Sequence, residues 1–296
     1  MSTRRFFLPA DRCANEEIVL TDREAHHAAD VLRLHAGDRA EILDGAGGEL
    51  LCEAREVARR QIRLAVIERR HRPALPYQLT LLQAIPKGHT MDLIVQKATE
   101  LGAARIVPLL TERTITRLDE GSAEAKVEKW HQVAIEAVKQ CGNPWLPEIA
   151  APQTPTEFLA RRETFDLPLI AALQDERRHP RACFAEFHAR HARPPRTLCV
   201  WIGPEGDFSP AELRQITSAG ALPVTLGPLI LRSDTAACYA LSVLSYELQS
   251  GVEALASGYP TASGGPAVTM QNSEAKGSAP APGAVFHAPA ANTGGV

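Results

Sequence analysis

The 296-residue sequence is poor in aromatic residues, which make up 5% of the chain, and its six cysteines are scattered. These cysteines lie at positions 13, 52, 141, 183, 199 and 238, with no CxxC pair and no histidine at metal-ligand spacing. That distribution argues against a disulfide framework and against a zinc site. We therefore expect free thiols in a reducing cytoplasm and no bound metal.

The sequence also lacks a charge imbalance and a long apolar run. Lys and Arg number 32 and Asp and Glu 35, so the net charge of -3 carries no overall signature of nucleic-acid binding. No apolar stretch approaches the roughly 20 residues that a membrane span needs. The N-terminus is charged and does not have the apolar centre of a signal peptide. We expect a cytoplasmic protein without a membrane partner.

The chain has three regions that differ in composition and in the spacing of their apolar residues. Residues 1–72 alternate apolar and polar positions around the turn "DGAGG", which predicts a small β-barrel. Residues 73–250 alternate strand-like and helix-like segments, the signature of an α/β domain with a mainly parallel sheet. Residues 251–296 are rich in Ala and Gly, with 11 Ala and 7 Gly from residue 252 onward, which predicts a disordered tail.

Several helices of the α/β region have clear sequence signals. In "TMDLIVQKATELG" an apolar face is followed by Gly102 as a C-terminal stop. In "SPAELRQITSAG" Ser209 and Glu212 form a capping box around Pro210. A longer helix ends at Gly142, and its predicted inward residues are Val127, Trp130, Ala134, Ala137, Val138 and Cys141.

Three strand ends carry glycine, proline or polar residues: "LIAALQDE", "WIGPEGDFS" and "TLGPLILRSDTA". Ligands of open α/β sheets bind beyond the carboxyl ends of the strands. Gly203 and Gly206 would let backbone amides approach a ligand closely. The alternative is a tight turn between strand and helix that merely needs glycine.

The usual phosphate-binding and hydrolase motifs are missing from the sequence. It has no GxGxxG after a strand, no GxxxxGK[ST] and no GxSxG, which disfavours a nicotinamide dehydrogenase, a P-loop NTPase and an α/β-hydrolase. Backbone amides and the apolar "LIL" run instead suit a flat, mostly apolar ring system without a heavy phosphate load. S-adenosylmethionine fits that description.

Five ordered segments, spread over about residues 4 to 250, resemble the 16S rRNA uracil-1498 N3-methyltransferase family of the SPOUT class of trefoil-knotted methyltransferases. They are "RRFFLP", "HHAADVLRLHAGD", "QAIPKGHTMDLIVQKATELGA", "WIGPEGDFSPAEL" and "LGPLILRSDTAACYALSVL". The resemblance implies a PUA-like barrel for RNA, a knotted α/β domain for the cofactor, and a homodimer formed through the knotted domain. The knot breaks the usual rule that chains do not thread their own loops.

The same resemblance implies which residues contact S-adenosylmethionine. On this chain they are Leu173, Ile202, Gly203, Gly206, Leu226, Gly227, Ile230 and Leu231. The chain departs from the common family pattern in the same segments, at Asp207, Leu229, Ser233 and Asp234, and also at Lys139 and Asn143. Leu229 stands where the family commonly has an arginine.

Methylation at N3 of uracil requires loss of an imide proton before in-line attack on the sulfonium methyl. No metal is needed, because the sulfonium is already the electrophile. Arg232 is the first candidate for a catalytic contact, since its guanidinium can steady the developing anion. Asp234 or Glu205 could orient Arg232 or accept the proton. Alternatively, Asp234 caps a helix, and Glu205 stabilises its turn.

RNA binding has weaker support in the residues themselves. Residues 1–72 hold 13 Arg and 13 acidic residues, so their charges cancel. Several of the arginines nevertheless stand next to each other in the sequence and concentrate positive charge locally. Arg4, Arg5 and Phe7 are candidate RNA contacts, because forked phosphate contacts and base stacking complement each other; Lys87 is a fourth. A solvated charged face explains the same pattern.

The sequence thus predicts an S-adenosylmethionine-dependent methyltransferase acting on N3 of a uridine in 16S rRNA of the small ribosomal subunit. Two alternatives remain. One is a knotted methyltransferase for another RNA, such as tRNA. The other is an RNA-binding protein that has lost catalysis.

Overall fold

The computed structural model describes residues 4–114, 120–173 and 177–250. The predicted disordered tail, residues 251–296, lies outside the described residues. Two separate sheets account for the strands of the described chain. Strands up to residue 71 form the first sheet, and strands from residue 78 form the second. The domain boundaries at 72/73 and 250/251 stay predictions.

The first sheet has five strands in the order β1-β3-β4-β5-β2, antiparallel except for the parallel pair of β1 and β3. It curls around a core of alternating residues, such as Ile42, Ile62 and Leu64, which are fully buried. Helix α1 (Asp22–His26) runs into a π turn (His27–Val31) beside it. The strands are β1 (Arg5–Phe7), β2 (Glu17–Thr21), β3 (Arg39–Leu43), β4 (Gly48–Ala58) and β5 (Gln61–His71).

The second sheet has six parallel strands in the order β11-β9-β10-β6-β7-β8. Its strands are β6 (Gln78–Ala84), β7 (Arg105–Leu109), β8 (Glu148–Ile149), β9 (Leu167–Ala171), β10 (Thr197–Ile202) and β11 (Leu222–Val224). Its helices are α2 (Thr90–Glu100), α3 (Glu120–Cys141), α4 (Pro155–Ala160), α5 (Pro180–His191), α6 (Pro210–Ser218) and α7 (Ser233–Ser250).

Helices cover both faces of this parallel sheet, as buried parallel strands require. On β10, Val200 contributes to a core shared with α2, α3, α5 and α7. The neighbouring Trp201 points to the opposite core, which includes Phe158 of α4 and Ile216 of α6. Alternation along the strand therefore serves two apolar layers at once. Among the described residues, no helix is long and apolar enough to cross a membrane.

The sequence signals for the helices are largely confirmed. In the capping box of α6, Ser209 Oγ accepts from Glu212 N at 3.2 Å, and Glu212 Oε2 accepts from Ser209 N at 2.9 Å. Gly102 and Gly142 follow α2 and α3 with positive φ angles. The prediction that Cys141 points inward is wrong, because it is exposed in the last turn of α3.

Two helices were not predicted. Helix α4 is only six residues long, although Thr154 and Glu157 form a capping box that marks its start. Helix α5 begins at Pro180 and ends with Ala192 in the left-handed conformation. Its buried residues, Cys183, Phe184 and Phe187, have helical spacing, but exposed alanines on the other side reduce the contrast between its two faces.

The path of the chain brings three strand ends together. Strand β11 pairs with β9 at the edge of the sheet, yet the following helix α7 returns to pack on α2 and β6 near its centre. The segment that links them, residues 225–232, therefore crosses the carboxyl ends of β9 and β10. Residues far apart in sequence meet there.

A polar junction joins the curled sheet to the α/β part. Lys139 of α3, with a side chain 5% exposed, donates to Glu24 at 2.8 Å and to Glu136 at 3.0 Å. Arg72 pairs with Glu49, and Trp145 Nε1 donates to the Arg72 carbonyl at 3.0 Å. These contacts fix the curled sheet against α3 and the loop that follows it.

Candidate functional site

A cavity of about 270 Å³ lies at the carboxyl ends of β9 and β10, beside the segment after β11. Most of the residues predicted to bind a cofactor line it: Leu173, Ile202, Gly203, Leu226, Gly227, Ile230 and Leu231. The candidates Glu205 and Arg232 lie on the same wall. The three strand ends singled out in the sequence therefore form one site.

The GPEG loop is both a tight turn and a wall of this cavity. A Cβ atom on Gly203 would lie 3.0 Å from Asp207 Oδ1 and 3.3 Å from Phe208 N, so a side chain there would force a shift. Asp207 N donates to the Pro204 carbonyl at 2.9 Å, which closes the turn. Asp207 has a φ of 61°, a left-handed conformation that glycine adopts freely and aspartate tolerates.

Gly206 lies outside the cavity wall, in contrast to its predicted cofactor contact. Its carbonyl accepts a hydrogen bond from Arg113 Nη1, in the loop after β7. A Cβ atom on Gly206 would be 3.4 Å from the Arg113 side chain, an ordinary contact. The close approach at Gly206 is therefore to another loop of the protein.

The segment after β11 turns sharply at Gly227, whose φ of 112° strongly favours glycine. Gly227 N donates to Thr225 Oγ1 at 3.1 Å, which stabilises the turn. Beyond it, Leu229 is 75% exposed and Ile230 is 83% exposed. Of the predicted apolar wall, Leu226 and Leu231 are half-buried, whereas Ile230 stands at the open rim.

Arg232 and Asp234 occupy different positions at the start of α7. Ala236 N donates to the Arg232 carbonyl at 2.7 Å, so Arg232 is the cap residue and Asp234 lies inside the first turn. The predicted N-cap role of Asp234 is therefore wrong. Its carboxylate accepts from Thr235 N at 2.8 Å, where negative charge is favourable near a helix N-terminus. Asp234 lies outside the cavity wall.

The Arg232 side chain is exposed on the cavity wall and makes no hydrogen bond or ion pair with the described part of the chain. Such a guanidinium is available to a bound molecule. The Glu205 side chain, by contrast, is held by a hydrogen bond, because its Oε1 accepts from Lys87 N at 3.0 Å. That bond stabilises the contact with the loop after β6, not only its own turn, and brings Lys87 close to the cavity.

Cys238 lies one turn after Asp234 on α7. Burial, and to a lesser degree the Asp234 carboxylate, raises the pKa of this thiol. The thiol therefore stays protonated at neutral pH and is a poor nucleophile. Across residues 4–114, 120–173 and 177–250, no group of three or more His, Cys, Asp or Glu side chains is placed to hold a metal ion.

The four predicted RNA contacts have different environments. Phe7 is 8% exposed, so its ring is not free to stack on a base, and the prediction for Phe7 is corrected. Arg5 pairs with Glu41 at 2.6 Å and donates to the Gln140 carbonyl at 3.4 Å, within the junction. Arg4 pairs with Asp38. Only Lys87 among the four lies close to the cavity.

Two further polar residues belong to the site, and of these Gln83 was not predicted from the sequence. Ser233 lines the cavity, and Gln83 is fully buried behind it at the end of β6. The sequence does contain a sign of the role of Gln83, because this glutamine interrupts the mainly apolar strand "LTLLQAI". A glutamine at a buried strand position calls for a hydrogen-bonding partner.

The chain belongs to the RNA methyltransferase family, since the model of the RNA methyltransferase domain matches residues 73–245. The model of the RNA methyltransferase PUA domain matches residues 20–67. The chain is 30% identical to ribosomal RNA small subunit methyltransferase E of Bacillus subtilis over 250 residues, 83% of this chain and 97% of that protein. The Synechocystis protein of the same name is 32% identical, covering 83% of this chain and 78% of its own length.

Solved structures agree with these matches. The crystal structure of ribosomal RNA small subunit methyltransferase E from Neisseria gonorrhoeae, bound to S-adenosylmethionine, is 25% identical with a TM-score of 0.73. The match covers 83% of this chain and 98% of that one. The fold is therefore the trefoil-knotted SPOUT fold with a PUA-like domain, and the family and fold class predicted from the motifs are confirmed.

Proposed function

We propose that this chain transfers a methyl group from S-adenosylmethionine to N3 of a uridine, position 1498, in 16S rRNA of the small ribosomal subunit. The observation that carries the proposal is the cavity beside residues 225–232, on whose wall the Arg232 side chain has no hydrogen-bond or ion-pair partner among the described residues. The relatives named above support the substrate class. A tRNA substrate and a loss of catalysis, the two alternatives, have no comparable support.

The cavity suits the proposed cofactor chemically. Leu226 and Leu231 offer apolar contact to a ring system, and Gly203 and Gly227 expose backbone groups without a side chain. When bound, S-adenosylmethionine supplies a methyl group on a positively charged sulfur, which needs no metal to be electrophilic. The residues of the chain then have to bind it and orient the uracil.

Arg232 is the proposed catalytic residue. The N3 proton of uracil lies between two carbonyls, and its removal spreads negative charge over both oxygens. The guanidinium of Arg232, which has no partner within residues 4–114, 120–173 and 177–250, can donate two parallel hydrogen bonds to that charge. Arg232 would thereby stabilise the uracil anion before it attacks the methyl group.

Glu205 is the better placed of the two carboxylates for handling the proton, because it lies on the cavity wall. It would accept the proton or orient Arg232. Asp234 is two residues from Arg232 and lies outside the cavity wall. Its proposed role is therefore to orient the Arg232 guanidinium through its negative charge. Comparing Glu205→Gln with Asp234→Asn in the pH dependence of kcat distinguishes the two roles.

A second copy of the chain is the proposed partner of the exposed apolar face beside the cavity. Leu229 and Ile230 at the rim, with Tyr239 and Tyr246 of α7, are 48% to 83% exposed. This concentration of exposed apolar side chains fits an interface between subunits. Light scattering tests the proposal, with Tyr246→Glu expected to shift a dimer toward monomer.

For RNA, the proposal keeps Lys87, close to the cavity, together with Arg4 and Arg5 of the PUA-like domain. The arginines would have to exchange internal partners for phosphate, so we expect Lys87 to contribute more.

The decisive experiment maps modified uridines by mass spectrometry in rRNA from cells without this gene. We expect N3-methyluridine at position 1498 to disappear and to return with the intact gene. Persistence of the modification refutes the proposal. Purified protein that methylates tRNA but neither small subunits nor 16S rRNA supports the first alternative, and protein that binds RNA but no S-adenosylmethionine supports the second.

A further inference from the structure

A chain of three hydrogen bonds runs behind the cavity wall. Gln83 Nε2 donates to the Ala84 carbonyl at 2.8 Å and to Ser233 Oγ at 2.8 Å. Ser233 Oγ in turn donates to the Gly203 carbonyl at 3.0 Å. These bonds connect the end of β6 to the start of α7, 150 residues further along the chain, and the start of α7 to the GPEG loop, 30 residues before it.

The direction of each bond follows from the chemistry of the groups. The backbone carbonyls of Ala84 and Gly203 can only accept, so the Gln83 amide and the Ser233 hydroxyl must donate to them. Because the Gln83 amide also donates to Ser233 Oγ, the hydroxyl proton is directed toward Gly203. Ser233 therefore has one orientation within this network.

Stability alone does not explain Gln83. Its side chain is fully buried, and its Oε1 has no hydrogen-bond partner in the part of the chain that the structure describes. A buried acceptor without a partner costs free energy that an apolar residue of similar volume would avoid. The amide is better explained by what its donor group holds in place.

What it holds is the peptide plane between Gly203 and Pro204. Proline has no N–H, so the Gly203 carbonyl is the only hydrogen-bonding group of that plane. Fixing this carbonyl sets the direction in which the GPEG loop leaves β10. Ser233 also adjoins Arg232 in sequence, so one hydroxyl relates the loop to the proposed catalytic residue.

We infer that Gln83 and Ser233 are positioning residues that align the GPEG loop with Arg232 for cofactor binding. The inference rests on the proposed function. Ser233 lines the cavity and could also touch the cofactor directly, whereas Gln83 is absent from the cavity wall. An effect of Gln83 on cofactor affinity therefore has to pass through Ser233.

The test measures S-adenosylmethionine affinity by calorimetry for Ser233→Ala, Ser233→Thr, Gln83→Met and the double variant Gln83→Met with Ser233→Ala. We expect Ser233→Ala and Gln83→Met each to weaken binding about 10-fold, the loss of one effective hydrogen bond. Ser233→Thr keeps the hydroxyl and should bind nearly as well as the unaltered chain. The double variant should lose little more than the weaker-binding single variant, because both changes break one network.

Thr99→Val is the matched control, because Thr99 is 1% exposed and its hydroxyl donates to the Val95 carbonyl at 2.8 Å within α2. It should lower Tm without changing cofactor affinity. Unchanged affinity in Ser233→Ala overturns the inference, as does an equal loss in Thr99→Val or in Ser233→Thr. If the unaltered chain binds no S-adenosylmethionine, the proposed function itself fails. If Gln83→Met folds and binds S-adenosylmethionine as tightly as the unaltered chain, the inference is overturned, because Ser233 then acts by direct contact. If Gln83→Met does not fold, Gln83→Leu takes its place, since only a variant at Gln83 separates positioning from direct contact.

Discussion

The junction between the two domains and the rim of the cavity use charged side chains in opposite ways. At the junction, Lys139 is buried between two glutamates, and Arg5 is paired with Glu41. At the rim, Arg232 has no partner in the described chain, while Leu229 and Ile230 project into solvent. The first region satisfies its charges internally, and the second leaves both charge and apolar surface available.

This difference separates residues that hold the fold from residues that meet other molecules. A buried charge must be paired within the protein, because desolvation is costly. A charge meant for a ligand gains by lacking a strong internal partner, since binding then breaks no existing bond. Substitutions at the junction should therefore change stability, and substitutions at the rim should change binding or catalysis.

The largest effect is expected at the rim. Arg232→Ala should lower kcat for methyl transfer by about 100-fold or more, the usual loss when a group that stabilises transition-state charge is removed. Affinity for S-adenosylmethionine should change little, because the apolar part of the wall, Leu226 and Leu231, is unchanged. Single-turnover kinetics and calorimetry measure the two quantities.

Arg214→Ala, an exposed arginine of α6, serves as the control for Arg232 and should leave both quantities unchanged. Equal losses of cofactor binding and of transfer in Arg232→Ala would contradict a catalytic role.

The next effect is on stability, at the junction. Lys139→Met should reduce the free energy of unfolding by about 3 kcal/mol, because Glu24, whose side chain is 17% exposed, loses its buried cation, whereas Glu136 is 40% exposed and keeps Arg23. Arg190→Ala, from an exposed pair with Glu186, should cost about 0.5 kcal/mol or less. Urea unfolding measures both variants. Similar losses in the two would remove the distinction between the junction and an ordinary surface pair.

A smaller and more selective effect is expected from Lys87 and Arg5. Lys87→Ala should weaken RNA binding, reduce the dependence of affinity on salt by about one unit of slope, and leave stability unchanged. Arg5→Ala should instead reduce the free energy of unfolding by about 1 kcal/mol, because it loses Glu41 and the α3 carbonyl. Filter binding across salt concentrations, with unfolding curves, compares the two. If Arg5→Ala weakens RNA binding without changing stability, Arg5 is an RNA contact after all.

The smallest effect concerns Leu229, where the common family pattern has an arginine. Since Leu229 is 75% exposed, Leu229→Arg should not disturb packing. It should tighten RNA binding by about threefold and steepen the salt dependence by up to about one unit of slope. Leu229→Glu should do the opposite. If neither variant changes RNA affinity, this part of the rim does not meet RNA and is free for the proposed dimer contact.

Local signals in the sequence were sufficient for much of the architecture. The Ser209 and Glu212 capping box, the glycine after α2 and the alternating strands could be read directly, since each depends on neighbouring residues only. The five ordered motifs identified the family, and the three strand ends identified the site. Helix α5 was not predicted, because exposed alanines opposite Cys183, Phe184 and Phe187 reduce the contrast between its apolar and polar faces.

Roles that depend on distant partners were outside the reach of the sequence. Phe7 and Arg5 look like an RNA contact in "RRFFLP". In the fold, however, Phe7 is buried, and Arg5 bonds to the carbonyl of Gln140, more than a hundred residues away in sequence. Asp234 looks like a helix cap until the first intrahelical bond is seen to start at Arg232.

By itself, the sequence determined the family, the α/β class and the three loops that build the cavity, because each of these depends on short motifs and on their order along the chain. Only the tertiary structure decided which charges are satisfied. The path of residues 225–232 brings Ser233 against Gln83 and Gly203, and it leaves Arg232 on the cavity wall with no partner in the part of the chain that the structure describes. Hydrogen bonding and desolvation act between atoms that are close in space, and the fold alone determines which atoms those are.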